Sequence, residues 1–201
     1  MIACIVFHSE FSRFVLYSYF SAIIFIMFAT KDKIGLRAVE PSDASIIYQW
    51  ENDASIWKVS ETLSPYSLFQ IEQFILNNND IYASRQLRLM IELTDKAAPH
   101  PIGMIDLFDF EPLHRRAGVG IYIYKKHEGK GYASTALDLL ESYAFETLHL
   151  HQLYCFIGEH NQRSLLLFQS RGYQRTGTRK DWTLNDNGYT DQYQFQLIRK
   201  T

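Results

Sequence analysis

Disulfides, repeats and a one-signed charge field are all missing from this chain, and each absence removes a class of protein. It has two cysteines, Cys4 and Cys155, far apart in sequence. That is neither a disulfide framework nor a zinc-ligand spacing, and it fits a reducing compartment. The net charge of -2 gives no basic field to gather nucleic acid or anionic lipid. No low-complexity tract and no internal repeat occurs. What remains is a chain of 201 residues, 47% apolar, which suits one domain with a sizeable core.

The N-terminus stands apart. From Phe14 to Thr30 no residue is charged, and the run is rich in Phe, Ile and Tyr. It is near the short end of what crosses a bilayer. It makes a poor signal peptide, because Glu10 precedes it and no small-residue cleavage site follows. Two readings fit residues 1–30: a membrane anchor or apolar arm, or upstream residues that are not translated, with Met27 as the start. Domain-like patterning sets in just after Met27, at Ile34 to Glu40, which favours the second. Residues 31–201 are read as the folded domain.

Ile34 to Val39 reads as a strand, and Pro41, Ser42 and Asp43 offer a turn and an N-cap for a helix to about Trp50. Pro65 and Ser67 open a second helix, with Phe69, Ile71, Phe74 and Ile75 on one face. Leu87, Leu89, Ile91 and Leu93 alternate with polar residues as a half-buried strand. Strands follow at Ile102 to Phe108 and Val119 to Ile123. An amphipathic helix carries Ala136, Leu137, Leu140, Tyr143 and Ala144. After it come a strand at Leu153 to Ile157 and a short helix from Asn161 to Gly172. A hairpin turning at Asn187-Gly188 closes the chain, with Tyr189, Asp191, Tyr193, Phe195 and Leu197 on one face. This is a mixed α/β layer architecture.

The segment that carries chemistry is Glu128-Gly129-Lys130-Gly131-Tyr132-Ala133, between a strand and a long helix. Glycines let the backbone approach a ligand closely. The helix points free N–H groups and its positive end at the loop, which makes an anion site suited to a pyrophosphate. Lys130 adds charge. A Walker loop is excluded, because Tyr124 replaces its first glycine and Gly131 its Ser/Thr. A dinucleotide fingerprint would follow the first strand, and this loop follows the fourth. The plain alternative is a strand-to-helix turn with no ligand.

The ordered set of motifs resembles the GNAT superfamily of N-acetyltransferases over about residues 34 to 199. Lys126-His127-Glu128-Gly129-Lys130-Gly131 matches the glycines of its Q/R-x-x-G-x-G/A loop, with lysine in first place. Asn161 and Ser164 match its Asn-x-x-Ala/Ser contact to pantetheine, and Leu167, Phe168, Gly172 and Tyr173 match its closing motif. Leu36-Arg37 and His114-Arg115-Arg116-Ala117 are similar to bacterial spermidine/diamine and ribosomal-protein N-acetyltransferases.

The resemblance implies a central mixed, mostly antiparallel, twisted sheet flanked by helices. It also implies acetyl-CoA as co-substrate, with no metal required. The cofactor would be held by Ile121, Tyr122, Ile123, Glu128, Gly129, Lys130, Gly131, Tyr132, Ala133, Asn161, Ser164 and Phe168. The oxyanion would meet backbone N–H groups near Ile121 to Ile123, where the family's fourth strand bulges. Many members carry a tyrosine at the position of Phe168 that protonates the departing thiolate. Here that hydroxyl is missing, which leaves open a weakened or specialised enzyme. The activity implied is acetyl transfer from acetyl-CoA to a primary amine, a polyamine such as spermidine or a diamine; the alternatives are a ribosomal-protein or protein N-terminus as acceptor, and a catalytically weak CoA-binding module. Implied partners are a small-molecule amine and no nucleic acid, with a membrane only if residues 1–26 are real and with room for a homo-oligomer. The location expected is cytoplasmic, or the inner face of a membrane through the N-terminal segment.

Acetyl transfer needs a neutral amine, yet a free alkylamine with pKa near about 10.4 is mostly protonated at pH 7. Candidate bases are Asp106, Asp109 and Glu159, with Glu111 beside them; a solvated surface acid is the plain reading of each. Glu51, Asp53, Trp57 and Glu61, with Trp50, Tyr66 and Phe69 nearby, are candidates to bind a polyamine through charge and cation–π contact. Helix packing and a solvated loop are the alternatives there. His149 and His151 lack a third ligand at suitable spacing, and Cys155 sits in an apolar strand as a core residue.

Overall fold

The computed structural model describes residues 26–60, 62–77, 80–96, 99–185 and 188–199. β2 (Ile34–Ala38) is buried along four of its five residues because it has neighbours on both edges. One neighbour is β1 (Met27–Lys31), antiparallel to it with Lys31 opposite Ile34. Residues 27–30, grouped on sequence grounds with the apolar extension, are therefore part of the sheet. Their side chains explain why. Met27 lies over Gly35, where a Cβ would meet its Sδ at 2.8 Å. Phe28 packs edge-on to Tyr143 at 5.1 Å, and Lys31 pairs with Asp138. Residues 1–25 lie outside the described part, so neither the anchor nor the start-site reading bears on this geometry.

Eight strands run in the order β1-β2-β3-β4-β5-β6-β8-β7. The others are β3 (Leu87–Leu93), β4 (Pro101–Glu111), β5 (Arg116–Ile123), β6 (Gln152–Gly158), β7 (Gln174–Asn185) and β8 (Gly188–Ile198). All neighbours are antiparallel except β5 and β6. A parallel pair needs a crossover, and α5 (Tyr132–Ser142) supplies it. Asn185 pairs with Gly188 at the hairpin tip, while Asn187 of the expected turn lies outside the described residues.

Helices cover both faces. On one, Ala136, Leu137 and Leu140 of α5 join Leu89, Ile91, Ile105, Leu107 and Val119. On the other, Ile47 and Trp50 of α1 (Ala44–Glu51) and Ile71 and Ile75 of α3 (Leu68–Asn77) cover Met90 and Met104. β3 is thus buried on both faces, not half-buried as its alternation implied. Its buried Glu92 is tolerated because Arg37 donates to it at 2.9 Å and to both oxygens of Asp43 at 2.7 and 2.8 Å. Asp43 also accepts from the Glu40 N–H, so the triad ties the start of α1 to the sheet.

Two helices escaped the sequence reading. In α2 (Ala54–Ser60) Asp53 accepts from the Ser55 N–H at 2.9 Å, so Asn52-Asp53 ends one helix and starts another. The second, α4 (Ile81–Ser84), is a single turn capped by Asp80. Phe69 was expected on the packed face of α3, but it is 66% exposed while Ile71 and Ile75 are buried. α6 (Gln162–Ser170) completes the helices, and Gly172 follows it at φ +86°.

Candidate active site

The cleft originates in one sheet irregularity. β5 and β6 pair only over Arg116 to Gly118 against Gln152 to Tyr154, then part. Beyond Gly118, the β6-facing edge of β5 opens onto a cavity of about 270 Å³. Ile121, Tyr122, Asn161, Ser164 and Phe168 line it; Ile123, also expected at the cofactor, does not. The bulge expected at Ile121 to Ile123 is absent, because pairing with β4 runs unshifted from Gly103↔Ile123 to Phe108↔Gly118. The shift lies on β4 instead, between Phe108 and Glu111, where Asp109 takes φ +48°.

The glycine loop leads into α5, and none of Glu128, Gly129, Lys130, Gly131, Tyr132 and Ala133, all expected at the cofactor, lines the cavity. Gly129 and Gly131 hold φ values of +74° and +80°, and nothing lies within 4 Å of where a Cβ would stand on either. The chain therefore turns in a conformation that favours glycine, with open space over it. Gly131 is the N-cap of α5, and its carbonyl accepts from the N–H groups of Ser134 and Thr135 at 3.1 and 3.2 Å. No side chain caps the helix, so its leading N–H groups remain for a ligand. The field there is positive. Burial, then Lys130, His100 and Lys126, hold the His127 imidazole below its usual value. Glu128 pairs with Arg163 of α6, which ties the loop to that helix.

In the cavity lining, the Asn161 side chain caps α6 by accepting from the Ser164 N–H at 3.2 Å. Phe168 lies one turn after Ser164. It is 3% exposed and meets Tyr173 edge-on at 4.9 Å. Cys155 is buried as expected, and burial pushes its thiol up to about 12.

The acids expected to meet an acceptor differ most from expectation. Asp106 lines the cavity, but Arg88 takes both its oxygens, from Nε at 2.8 Å and NH2 at 3.0 Å. The same guanidinium donates to Glu51 at 2.5 Å and sits 5.0 Å from the centre of the Phe74 ring. Burial pulls the Arg88 guanidinium down, but Asp106 and then Glu51 outweigh it, so the net shift is upward. Asp109 and Glu159 do not reach the cavity: Asp109 accepts from the Tyr154 hydroxyl, and Glu159 from that of Tyr193 at 3.2 Å. Among the residues proposed for the amine, Glu51 lines the cleft. Asp53 is turned to Ser55, and Trp57 donates to the Glu51 carbonyl at 2.8 Å. Glu61 lies outside the described residues. Trp50 is a core residue, 4% exposed, that lines the cavity, stacked on Tyr124 just after β5 and tilted against Tyr122 within it. Sequence reasoning missed Arg88 and His160, both of which line the cavity. A lone arginine inside an apolar strand was the available signal for the first; His160, next to the Asn161 motif, was the signal for the second.

The model of the acetyltransferase (GNAT) domain matches residues 33–174. The chain belongs to the GNAT acetyltransferase family. It is an acyltransferase, on the mixed, mostly antiparallel sheet expected for that family. The spermidine N(1)-acetyltransferase of Escherichia coli (strain K12) is 28% identical over 144 residues, 72% of this chain and 74% of that one. The enzyme of the same name from Vibrio cholerae is 29% identical over 146 residues, 72% and 81% of the two chains. The structure of spermidine N-acetyltransferase from Vibrio cholerae in complex with CoA and spermine matches with TM-score 0.73 at 26% identity, covering 83% of this chain and 95% of that one. A dodecameric structure of the Vibrio cholerae enzyme matches at TM-score 0.69 and 25% identity, over 83% and 94%.

Proposed function

We propose that this GNAT enzyme moves the acetyl group of acetyl-CoA to a primary amine, a polyamine such as spermidine or a diamine, by direct attack in a ternary complex. One observation carries the reading: the parted strands open a cleft lined by Asn161, Ser164, Phe168 and Glu51, while the glycine loop leaves the N-terminus of α5 without a side-chain cap. The pyrophosphate would rest on the backbone from Gly129 to Ala133, beside Glu128 and Lys130, with Tyr132 leading the helix. Pantetheine would run past Asn161 and Ser164 towards Phe168. Asn161 uses its oxygen as the helix cap, which leaves its NH2 to donate. The thioester would sit at Ile121, where the unpaired β5 edge offers N–H groups to the oxyanion. Tyr122, its hydroxyl pKa raised by burial first and then by Asp53, stays protonated as a neutral wall.

The folded unit proposed here begins with β1. A cytoplasmic location is part of the proposal, and no helix among the described residues is long and apolar enough to cross a membrane. So is a homo-oligomer, in view of the dodecameric relative. Phe168 favours one second reading, a catalytically weak CoA-binding module. Release of CoA thiol, followed with acetyl-CoA and spermidine, a matched diamine and a matched monoamine, tests both. The expected order places the monoamine about tenfold to hundredfold lower in kcat/KM, for one lost charge-assisted contact of about 1.5 to 3 kcal/mol. Equal rates for all three sink the polyamine assignment, and no thiol release with any amine leaves the binding module.

A further inference from the structure

The amine must lose a proton, and the three acids proposed from sequence do not serve. Asp109 and Glu159 stand outside the cavity, and both oxygens of Asp106 accept from Arg88. Glu51 has one oxygen committed to the Arg88 guanidinium, which places it to hold an ammonium through the other. The Cys155 thiol is pushed up to about 12 by burial, so it carries no thiolate to act as a base.

His160 remains. It lines the cavity on the loop between β6 and α6, next to Asn161. Its imidazole has no hydrogen bond or ion pair among the described residues. The ring lies against the bare backbone of Gly158: a Cβ there would stand 2.8 Å from its Cε1 and 3.2 Å from its Nδ1. Gly158 thus leaves room for the ring beside the cleft. The other charged side chains that line the cavity are already engaged: Glu51 and Asp106 both hold Arg88. Glu159, next along the chain, accepts from the Tyr193 hydroxyl. Imidazole is the side chain whose exchange with solvent near neutral pH suits a base for this step.

We propose that His160 is the general base of acetyl transfer, a role that rests on the acetyl-CoA and amine reading above. The acceptor ammonium gives one proton to a ring nitrogen of His160. The neutral amine then forms the C–N bond to the thioester carbonyl. Collapse of the tetrahedral intermediate breaks the C–S bond, and CoA leaves with the electron pair. The proton lost by the new amide nitrogen neutralises the thiolate, and the exposed imidazolium returns the first proton to solvent. The sum is ammonium plus acetyl-CoA giving acetamide, CoA thiol and one released proton.

The test is the pH dependence of kcat/KM for spermidine in the full chain, in His160→Gln and in Gly158→Ala, with His151→Gln as a surface control. His160 is exposed, so the fold should survive its replacement, and thermal melting checks this. His160→Gln should lose about a hundredfold at pH 7, the usual worth of a positioned base. Its pH profile should lose a bend that the parent shows, with KM for acetyl-CoA unchanged. Gly158→Ala should show a smaller loss through the displaced ring, and His151→Gln none. A His160→Gln enzyme within threefold of the parent, with the bend intact, overturns the proposal and leaves acetyl transfer standing. A parent enzyme that acetylates no amine overturns both.

Discussion

Replacing Gly131 by alanine separates two jobs that this glycine performs. The residue caps α5 at φ +80°, and no atom lies within 4 Å of the added Cβ. No clash contributes, so the fold loses only the strain of a left-handed L-residue, about 1 to 2 kcal/mol. For a chain of this size that is a fall in Tm of about 2 to 8 °C. The same methyl group stands over the helix N-terminus, where a pyrophosphate would approach, and should weaken acetyl-CoA at least tenfold, about 1.4 kcal/mol. Gly188→Ala is the matched control: it too has positive φ, +112°, and open space, but it lies at the hairpin tip. Calorimetric titration with acetyl-CoA, beside thermal melts of both variants, reads the two effects apart. If Gly131→Ala melts lower yet keeps its Kd within twofold, the loop does not hold the phosphates. If it melts with the parent, the strain argument is wrong.

Phe168→Tyr should change kcat by less than tenfold, about 1.4 kcal/mol in barrier, because a thiolate with pKa near about 8.5 leaves without full protonation; a larger gain in steady-state rate means the natural protein is a weakened enzyme. Lys31 first, and Arg171 after it, hold the Asp138 carboxyl below the usual range. That stability is present above the unfolded value near about 3.9 and is lost as pH falls through the lower folded value. The Tm gap between the parent and Asp138→Asn should therefore be full at pH 7 and close below about pH 4; a gap independent of pH refutes the linkage. A chain starting at Met27 should match the full chain in Tm and activity, whereas one starting at Lys33 loses β1 and should melt lower. Equal melting of the two would mean that β1 adds nothing, and native peptides from before Met27 in a membrane fraction would restore the anchor reading.

Local signals were the legible ones. The Gly129 and Gly131 turn, the Asn161 cap and the amphipathic face of α5 each lie within a few neighbouring residues, where capping and periodicity act. β1 was hidden because an apolar run looks alike as an anchor or an edge strand, and only the pairing partner, β2, decides. Asn52-Asp53 reads as a break in either case, since the residue types that end one helix also cap the next. Phe69 misled because an aromatic at helical spacing says nothing about whether a sheet lies beneath it. Of the cofactor motifs, Asn161, Ser164 and Phe168 line the cleft and the glycine loop does not. The strand parting that opens the cleft was not legible, because pairing stops for reasons spread over two strands.

Charge in the acceptor half shows the same limit most sharply. Glu51, Asp106 and Arg88 meet across 37 and 18 residues of sequence. A count along the chain sees two acids ready for a polyamine, whereas the folded trio carries one net negative charge and one oxygen of Glu51 free of Arg88. If the acceptor is the polyamine proposed above, attraction for its second ammonium rests on one unit of charge, not two. That would bound the preference for diamines over monoamines at about a hundredfold, the worth of one charge-assisted hydrogen bond. The bound applies to Arg88 as well. Replacing it with methionine should release both carboxylates and widen the diamine preference, while breaking a half-buried ion network that costs about 3 to 5 kcal/mol of stability. An Arg88→Met enzyme that folds and shows an unchanged diamine-to-monoamine ratio would mean that the trio does not face the acceptor.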